Sequence, residues 1–557
     1  MPLFADALVH IPAANPQSAI VRSPCPLLLK LFYLLALPGV STAYQSSEYS
    51  IIFLRSPSDH DDFSEDLNFC DADESNRGAT ALNILTDDVL LEIFDLCREN
   101  NSNHSHPNQW HLLVHVCQRW RQIVFGSPHR LNLQIFCTYG TPVRQSLGIW
   151  PAFPIVLDLC SSRPLTPNDE DNAIAALEHS DRVRSVRLHL TSSQWERMAT
   201  MLLNPFPLLT RLKVHSTDGN APVLPDVFLG GFAPCLQEIY LHGIPFPALP
   251  TLLLSTGHLV ILTLSMIPPT GYIPPEAMAV CLAALPKLES FTMEIQSTNP
   301  QPVLIRTPPA TRMVLPALIS FHFQGTCRYL EDLVAQIDSP QLRWISVVYL
   351  NQPHRFQAAQ LSEFINRSAV PQSNPLRRAH VDFELLGRVS FILYRKANDI
   401  GSSQHPVETT ISFKTSELQL HDLPHVLSQF DSTLRTVAHL ELDVPVADGD
   451  EDLFEEVSLG WSDVEWPLLF RQFPAMHILV ASGFLAVYVA IALESITVEM
   501  VPEVFPSLHL ILIEGEPHSS ADTIVAARRL SGRPVTLVDD EVELKKMIEF
   551  YYKTASE

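Results

Sequence analysis

His104, His106, His111 and His115, with Cys97 and Cys117 to either side, are the first residues in this chain whose types could hold a metal. His111 and His115 stand one helical turn apart, a spacing that puts two imidazoles on one helix face. The other members do not complete a site. His104 and His106 belong to a polar run rich in Asn and Ser, and Cys117 falls on an apolar stripe, so the sequence predicts no metal and no cofactor. Asp448-Gly449-Asp450-Glu451-Asp452 opens like a calcium loop, but Leu453 and Leu459 occupy the positions where such a loop needs glycine and a bidentate glutamate. It reads as a solvated acidic loop. A phosphate-binding glycine loop, a G-x-S-x-G elbow and an H-E-x-x-H helix are all absent from the sequence, and only 19 glycines serve the whole chain. The expectation is a protein that is not an enzyme.

Composition narrows the partners. Acidic residues outnumber basic ones 61 to 37, giving a net charge of -24 that repels polyphosphate, and no basic stripe with interleaved aromatics appears. Nucleic acid is not an expected partner. The 9 cysteines are scattered without paired C-x-x-C spacing, which argues for a reducing compartment, cytoplasmic or nuclear. The apolar run from Leu27 to Leu37 imitates a signal peptide, yet it begins late, contains Lys30 and is too short to span a bilayer. Residues 1–80 read as a loose extension ending in an acidic stretch, with no membrane role.

The elements that must position any site begin after that extension. Val89, Leu90, Ile93 and Phe94 form one stripe of a helix whose first turn carries Asp87 and Asp88, with Thr86 as N-cap. Trp110, Leu113, Val114, Cys117, Trp120 and Val124 make a second helical stripe that ends at Ser127-Pro128. The arrangement resembles the F-box, an all-α module that docks on the Skp adaptor of cullin-RING ubiquitin ligases. Leu85, Val89, Leu90, Ile93, Phe94, Val116, Cys117 and Trp120 match its pattern, while Thr86 stands where proline is usual. The resemblance implies that these eight residues contact the adaptor. It also extends to the F-box protein family of mushroom-forming fungi, whose members join this module to a leucine-rich-like tail.

Past Pro151 a unit recurs about ten times: an apolar residue, two variable positions, an apolar residue, one variable position and a final apolar residue. Leu209, Leu212, Val214; Leu259, Leu262, Leu264; Leu318, Phe321, Phe323; and Leu508, Ile511, Ile513 are instances. Proline often sits two residues ahead, as at Pro207, Pro286, Pro316, Pro340, Pro474 and Pro506, where it stops a preceding helix. Helix, proline stop and short strand is the logic of leucine-rich repeats, whose units bury their apolar faces only by stacking. The expected fold is therefore α/β: a small all-α module over 81–131, a linker and cap over 132–175, an irregular solenoid of parallel strands alternating with helices over 176–538, and a C-terminal helix over 539–557. Residues flanking the strand leucines project from the concave face, which nominates Lys213, Tyr240, Thr263, Thr292, His322, Ser346, His380 and Glu441 to read a target protein. The function these expectations converge on is a substrate receptor that docks on the Skp adaptor and cullin scaffold. The alternatives are a structural interaction protein outside any ligase and a secreted or membrane-associated recognition protein.

Overall fold

The computed structural model describes residues 85–99, 110–160, 165–219, 223–225, 227–246, 249–296, 311–350, 356–368, 377–384, 388–394, 408–414, 422–443, 465–482, 485–513, 522–538 and 546. The expected extension over 1–80, His104 and His106, the acidic loop at 448–456 and, apart from residue 546, the C-terminal helix lie outside them. Two compact units are present, Met1–Phe136 and Cys137–Glu557.

In the first unit, α1 spans Asp87–Glu99, α2 Trp110–Val116 and α3 Gln118–Gly126. Thr86 caps α1, its Oγ1 accepting from the Val89 N–H at 3.4 Å. The second stripe is not one helix, as its spacing suggested. Cys117 is extended, with φ -158° and ψ 169°, and breaks it into α2 and α3. Two short helices can turn independently, which brings Trp110 and Trp120 both inside: each is buried, and the Trp120 ring meets Phe94 edge-on at 4.8 Å. The Trp110 indole N–H donates to the Gln134 carbonyl at 3.1 Å, so its polar end is satisfied as well.

The second unit is mixed α/β, with parallel strands alternating with helices. A short β1 (Ile135–Cys137) lies at the junction of the units. Then follow β2 (Ile155–Leu159), β3 (Val183–Leu190), β4 (Arg211–Ser216), β5 (Glu238–His242), β6 (Ile261–Ile267) and β7 (Ser290–Ile295). Beyond these come β8 (Met313–Val314), β9 (Ser320–Gly325), β10 (Ile337–Asp338), β11 (Trp344–Leu350), β12 (Arg378–Glu384), β13 (Arg388–Tyr394) and β14 (Glu408–Lys414). The last are β15 (His439–Asp443), β16 (Ile478–Ala481), β17 (Leu510–Ile513) and β18 (Thr536–Val538). From β2 the sheet runs in the order β2-β3-β4-β5-β6-β7-β9-β11-β14-β13-β12-β15-β16-β17-β18, while β8 and β10 pair apart from it. The helices that intervene include α4 (Pro167–Leu177), α5 (Ser192–Ala199), α6 (Pro275–Ala283), α7 (Cys327–Val334), α8 (Ala359–Ser368) and α9 (Leu485–Glu494).

One stretch departs from the expected run of parallel strands. β13 pairs antiparallel with both β12 and β14, so a meander stands where a single repeat strand was expected. The reason is local: only residues 385–387 separate β12 from β13, too few to cross over to a parallel neighbour. The meander still presents parallel partners outward, β14 to β11 and β12 to β15, and the sheet continues.

Apolar triplets supply the core. Leu209, Leu212 and Val214, or Leu318, Phe321 and Phe323, are each buried, as are the equivalent residues of the neighbouring strands. Thr166, Thr191 and Thr326 cap α4, α5 and α7 through their hydroxyl oxygens, and in α4 and α5 the Asp169 and Gln194 side chains accept in return from the capping residue's N–H. Helices also cap one another: the Glu331 carboxylate on α7 accepts from the Gln360 and Leu361 N–H groups of α8, at 2.8 Å each. Phe321 packs between Phe291 at 5.6 Å and Phe364 at 5.9 Å. Phe321→Ala is expected to cost about 3 to 5 kcal/mol in urea unfolding, whereas Thr292→Ala, on the opposite face of the same sheet, should stay within about 0.5 kcal/mol. Equal losses would contradict this facing.

Candidate functional site

Where the structure puts the residues expected to touch an adaptor depends on their place in the helices. Leu90, Phe94 and Trp120 are buried inside the first unit, Leu85 and Ile93 are half-buried, and Cys117 is exposed. Val89, Val116 and Leu96 keep 43%, 39% and 54% of their surface, so the apolar surface this unit exposes is carried by residues other than Trp110 and Trp120. Arg119 holds the start of α1, donating to Asp87 Oδ1 at 2.6 Å and to the Leu85 carbonyl at 2.5 Å.

Strand register brings the eight residues nominated on the sheet into one row. Lys213 pairs with Tyr240, Tyr240 with Thr263, Thr263 with Thr292, Thr292 with His322, and His322 with Ser346. The row crosses the meander through Thr410 and Ile392 to His380, which pairs with Glu441. All eight are half-buried. In the other direction the row continues to Arg187 and Asp158, joined by an ion pair at 2.8 Å.

A second row, two residues further along each strand, escaped sequence reasoning. His189, His215 and His242 pair in succession on β3, β4 and β5, with rings 4.8 Å and then 4.1 Å apart. Cys160 Sγ stands 2.9 Å from His189 Nε2. Burial, then repulsion from His242 and His189, lowers His215 to about 4. Burial likewise lowers His242, against the pull of Glu294. Glu294 in turn lies 3.5 Å from His322, and that hydrogen bond holds its carboxyl below the usual range despite burial.

The densest chemistry lies on β12 and β15, where Arg378-x-His380-x-Asp382 faces His439-x-Glu441-x-Asp443 residue for residue. His380 Nε2 is 2.6 Å from Asp382 Oδ1 and its Nδ1 is 3.1 Å from Glu441 Oε2. Burial would depress its basicity, but hydrogen bonds and charge from Asp382 and Glu441 lift it to about 9. Glu441, opposed by burial, is drawn down to about 2 by His380 and by Arg378, whose Nε donates to it at 3.1 Å. Arg378 also lies over the Tyr394 ring at 5.5 Å. Ser390 and Ser482 donate to Asp382 at 3.4 Å and to Asp443 at 2.8 Å. Only His380 and Glu441 of this cluster were nominated from the sequence. The signal that would have found the rest is the period-two alternation of charged residues along both strands.

On this face cationic, acidic, aromatic and imidazole groups stand in register on a backbone fixed from behind. No helix among the described residues is long and apolar enough to cross a membrane. No protein-family model matches the chain, and no curated protein matches it.

The histidine row makes stability pH-dependent with a defined sign. His215 titrates near 6.5 when unfolded and about 4 when folded, so its contribution is present above 6.5 and lost as pH falls toward 4. The groups facing it are His189 from β3 and His242 from β5, and the charge of Glu294 on β7 acts on His242. The thermal midpoint should fall between pH 7 and pH 5, and His215→Asn should lessen that fall; an unchanged pH profile in the variant would contradict the assignment.

Proposed function

We propose that this chain is an F-box substrate receptor, in which the first unit docks on the Skp adaptor of a cullin-RING ubiquitin ligase and a leucine-rich-repeat-like solenoid presents a target protein. The observation that carries the reading is the single row from Lys213 to Glu441, assembled by register from strands far apart in sequence. Repeat proteins use such rows on a concave face to read partners, because buried apolar positions fix the backbone while the alternate positions are free to vary. The helices of the first unit support the adaptor role through their exposed apolar groups Val89 and Val116, beside the matched pattern of the eight residues. The receptor itself performs no chemistry, and its setting is the cytoplasm or nucleus.

An acidic chain suits a basic or neutral target better than an acidic one. Lys213, Tyr240 and His322 sit in the central strands of the row and offer the rigid or long side chains that dominate interface energies. Replacing all three by Ala should abolish target capture while leaving adaptor binding intact, and capture of the same proteins by the variant would overturn the role of this face. A chain acting purely as a structural interaction protein is distinguished by failure to bind purified Skp adaptor.

Folding and docking separate cleanly in the first unit. The double variant Val89→Asp, Val116→Asp should abolish adaptor binding in calorimetry with the thermal midpoint preserved, because both side chains are exposed. Trp120→Ala should lose binding through unfolding, at about 3 to 5 kcal/mol. Full adaptor affinity in the double variant would exclude these two residues from the contact.

A further inference from the structure

We propose that His380, Asp382 and Asp443 form a binding site for a zinc-like divalent cation on the polar face of the sheet. One ligand atom from each of the three lies within 4.8 Å of the other two. They come from facing positions of β12 and β15, where Asp382 pairs with Asp443 in the ladder. The proposal is independent of the adaptor and ligase reading.

The surrounding groups are those that prepare metal ligands. A ligating imidazole characteristically gives its second ring nitrogen to a carboxylate, which fixes the tautomer and the ring plane. His380 does this: Nδ1 faces Glu441 Oε2 at 3.1 Å, while Nε2 is hydrogen-bonded to Asp382 Oδ1 at 2.6 Å, so a cation would enter by displacing the proton shared between those two ligands. Glu441 is itself held by Arg378, which is anchored over Tyr394. On the other side, the Ser482 hydroxyl orients Asp443 and the Ser390 hydroxyl orients Asp382. A chain of support thus runs from Tyr394 through Arg378 and Glu441 to the imidazole, and from two serines to the two carboxylates.

Charge supports the same conclusion. Arg378 offsets Glu441, which leaves the two negative charges of Asp382 and Asp443. A divalent cation bound to the neutral imidazole balances both. The side chains of His380 and Asp382 retain 18% and 23% of their surface, enough for an ion to enter and keep water in its remaining positions. One nitrogen and two carboxylates favour zinc over calcium and magnesium, which prefer oxygen alone.

The test is titration of chelator-treated full-length protein with zinc in a calorimeter at neutral pH. One equivalent should bind, magnesium should not compete, and Glu441→Gln should weaken binding about 10- to 100-fold. Asp443→Asn should abolish it. A His104→Ala, His106→Ala variant should bind zinc like the parent. Loss of binding in that histidine variant, parental binding in Asp443→Asn, or no zinc uptake by the parent would each overturn the site. If Asp443→Asn loses its circular dichroism, Ser482→Ala takes its place: tenfold weaker binding supports the proposal and parental affinity overturns it.

Discussion

Parallel pairing in register governs everything else in the second unit. Side chains at every second position of a strand share a face, so one set of alternate residues stacks into a row from Leu157 through Val186, Leu212, Ile239 and Leu262 to Phe291 and Phe321. Beyond the meander the same row resumes at Ala379, Leu440, Leu479 and Ile511. A slip of one residue in any strand would turn its apolar members to the polar face and its charged members inward, at a cost of several buried side chains. The polar row is therefore fixed by burial on the other side of the sheet, and needs no stabilisation of its own.

That freedom shows in its chemistry. Ion pairs recur along the face, Asp158 with Arg187 at 2.8 Å and Arg211 with Glu238 at 3.1 Å, and Glu294 stands 3.5 Å from His322. Partly exposed pairs of this kind contribute at most about 1 kcal/mol each to stability, so their arrangement bears little on folding. Although the chain carries a net charge of -24, acidic and basic groups on this face stand paired with one another.

Much of this architecture is legible in the sequence for a physical reason. Each strand must bury two alternate residues and the turn before it a third, so Leu259, Leu262 and Leu264 carry the strand's position and its facing together. Proline stops are legible for the same kind of reason: Pro286, Pro474 and Pro506 lie just beyond helices ending at Ala283, Phe470 and Val504. The meander was not legible, because Leu386, Val389 and Phe391 keep the spacing of a repeat unit, lacking only the proline two residues ahead, and nothing in that spacing tells an antiparallel strand from a parallel one. The break at Cys117 was also hidden, since α2 and α3 together keep helical spacing across it. The cluster on β12 and β15 was half legible. His380 and Glu441 follow from the repeat, but the pairing of Arg378 with Glu441 joins residues 63 positions apart, and only the parallel pairing of β12 with β15 makes them neighbours.

Engineered cysteines probe the register most directly. Thr263 and Thr292 pair on adjacent parallel strands and share the polar face, whereas Met293, the next residue, is buried on the other. Neighbouring strands lie about 4.8 Å apart, within the span a disulfide accepts. A chain with Thr263→Cys and Thr292→Cys should form an intramolecular disulfide under mild oxidation with little change in its circular dichroism, and one with Thr263→Cys and Met293→Cys should not. Cross-linking in the second pair but not the first would show that the strands are slipped and that the polar row does not exist.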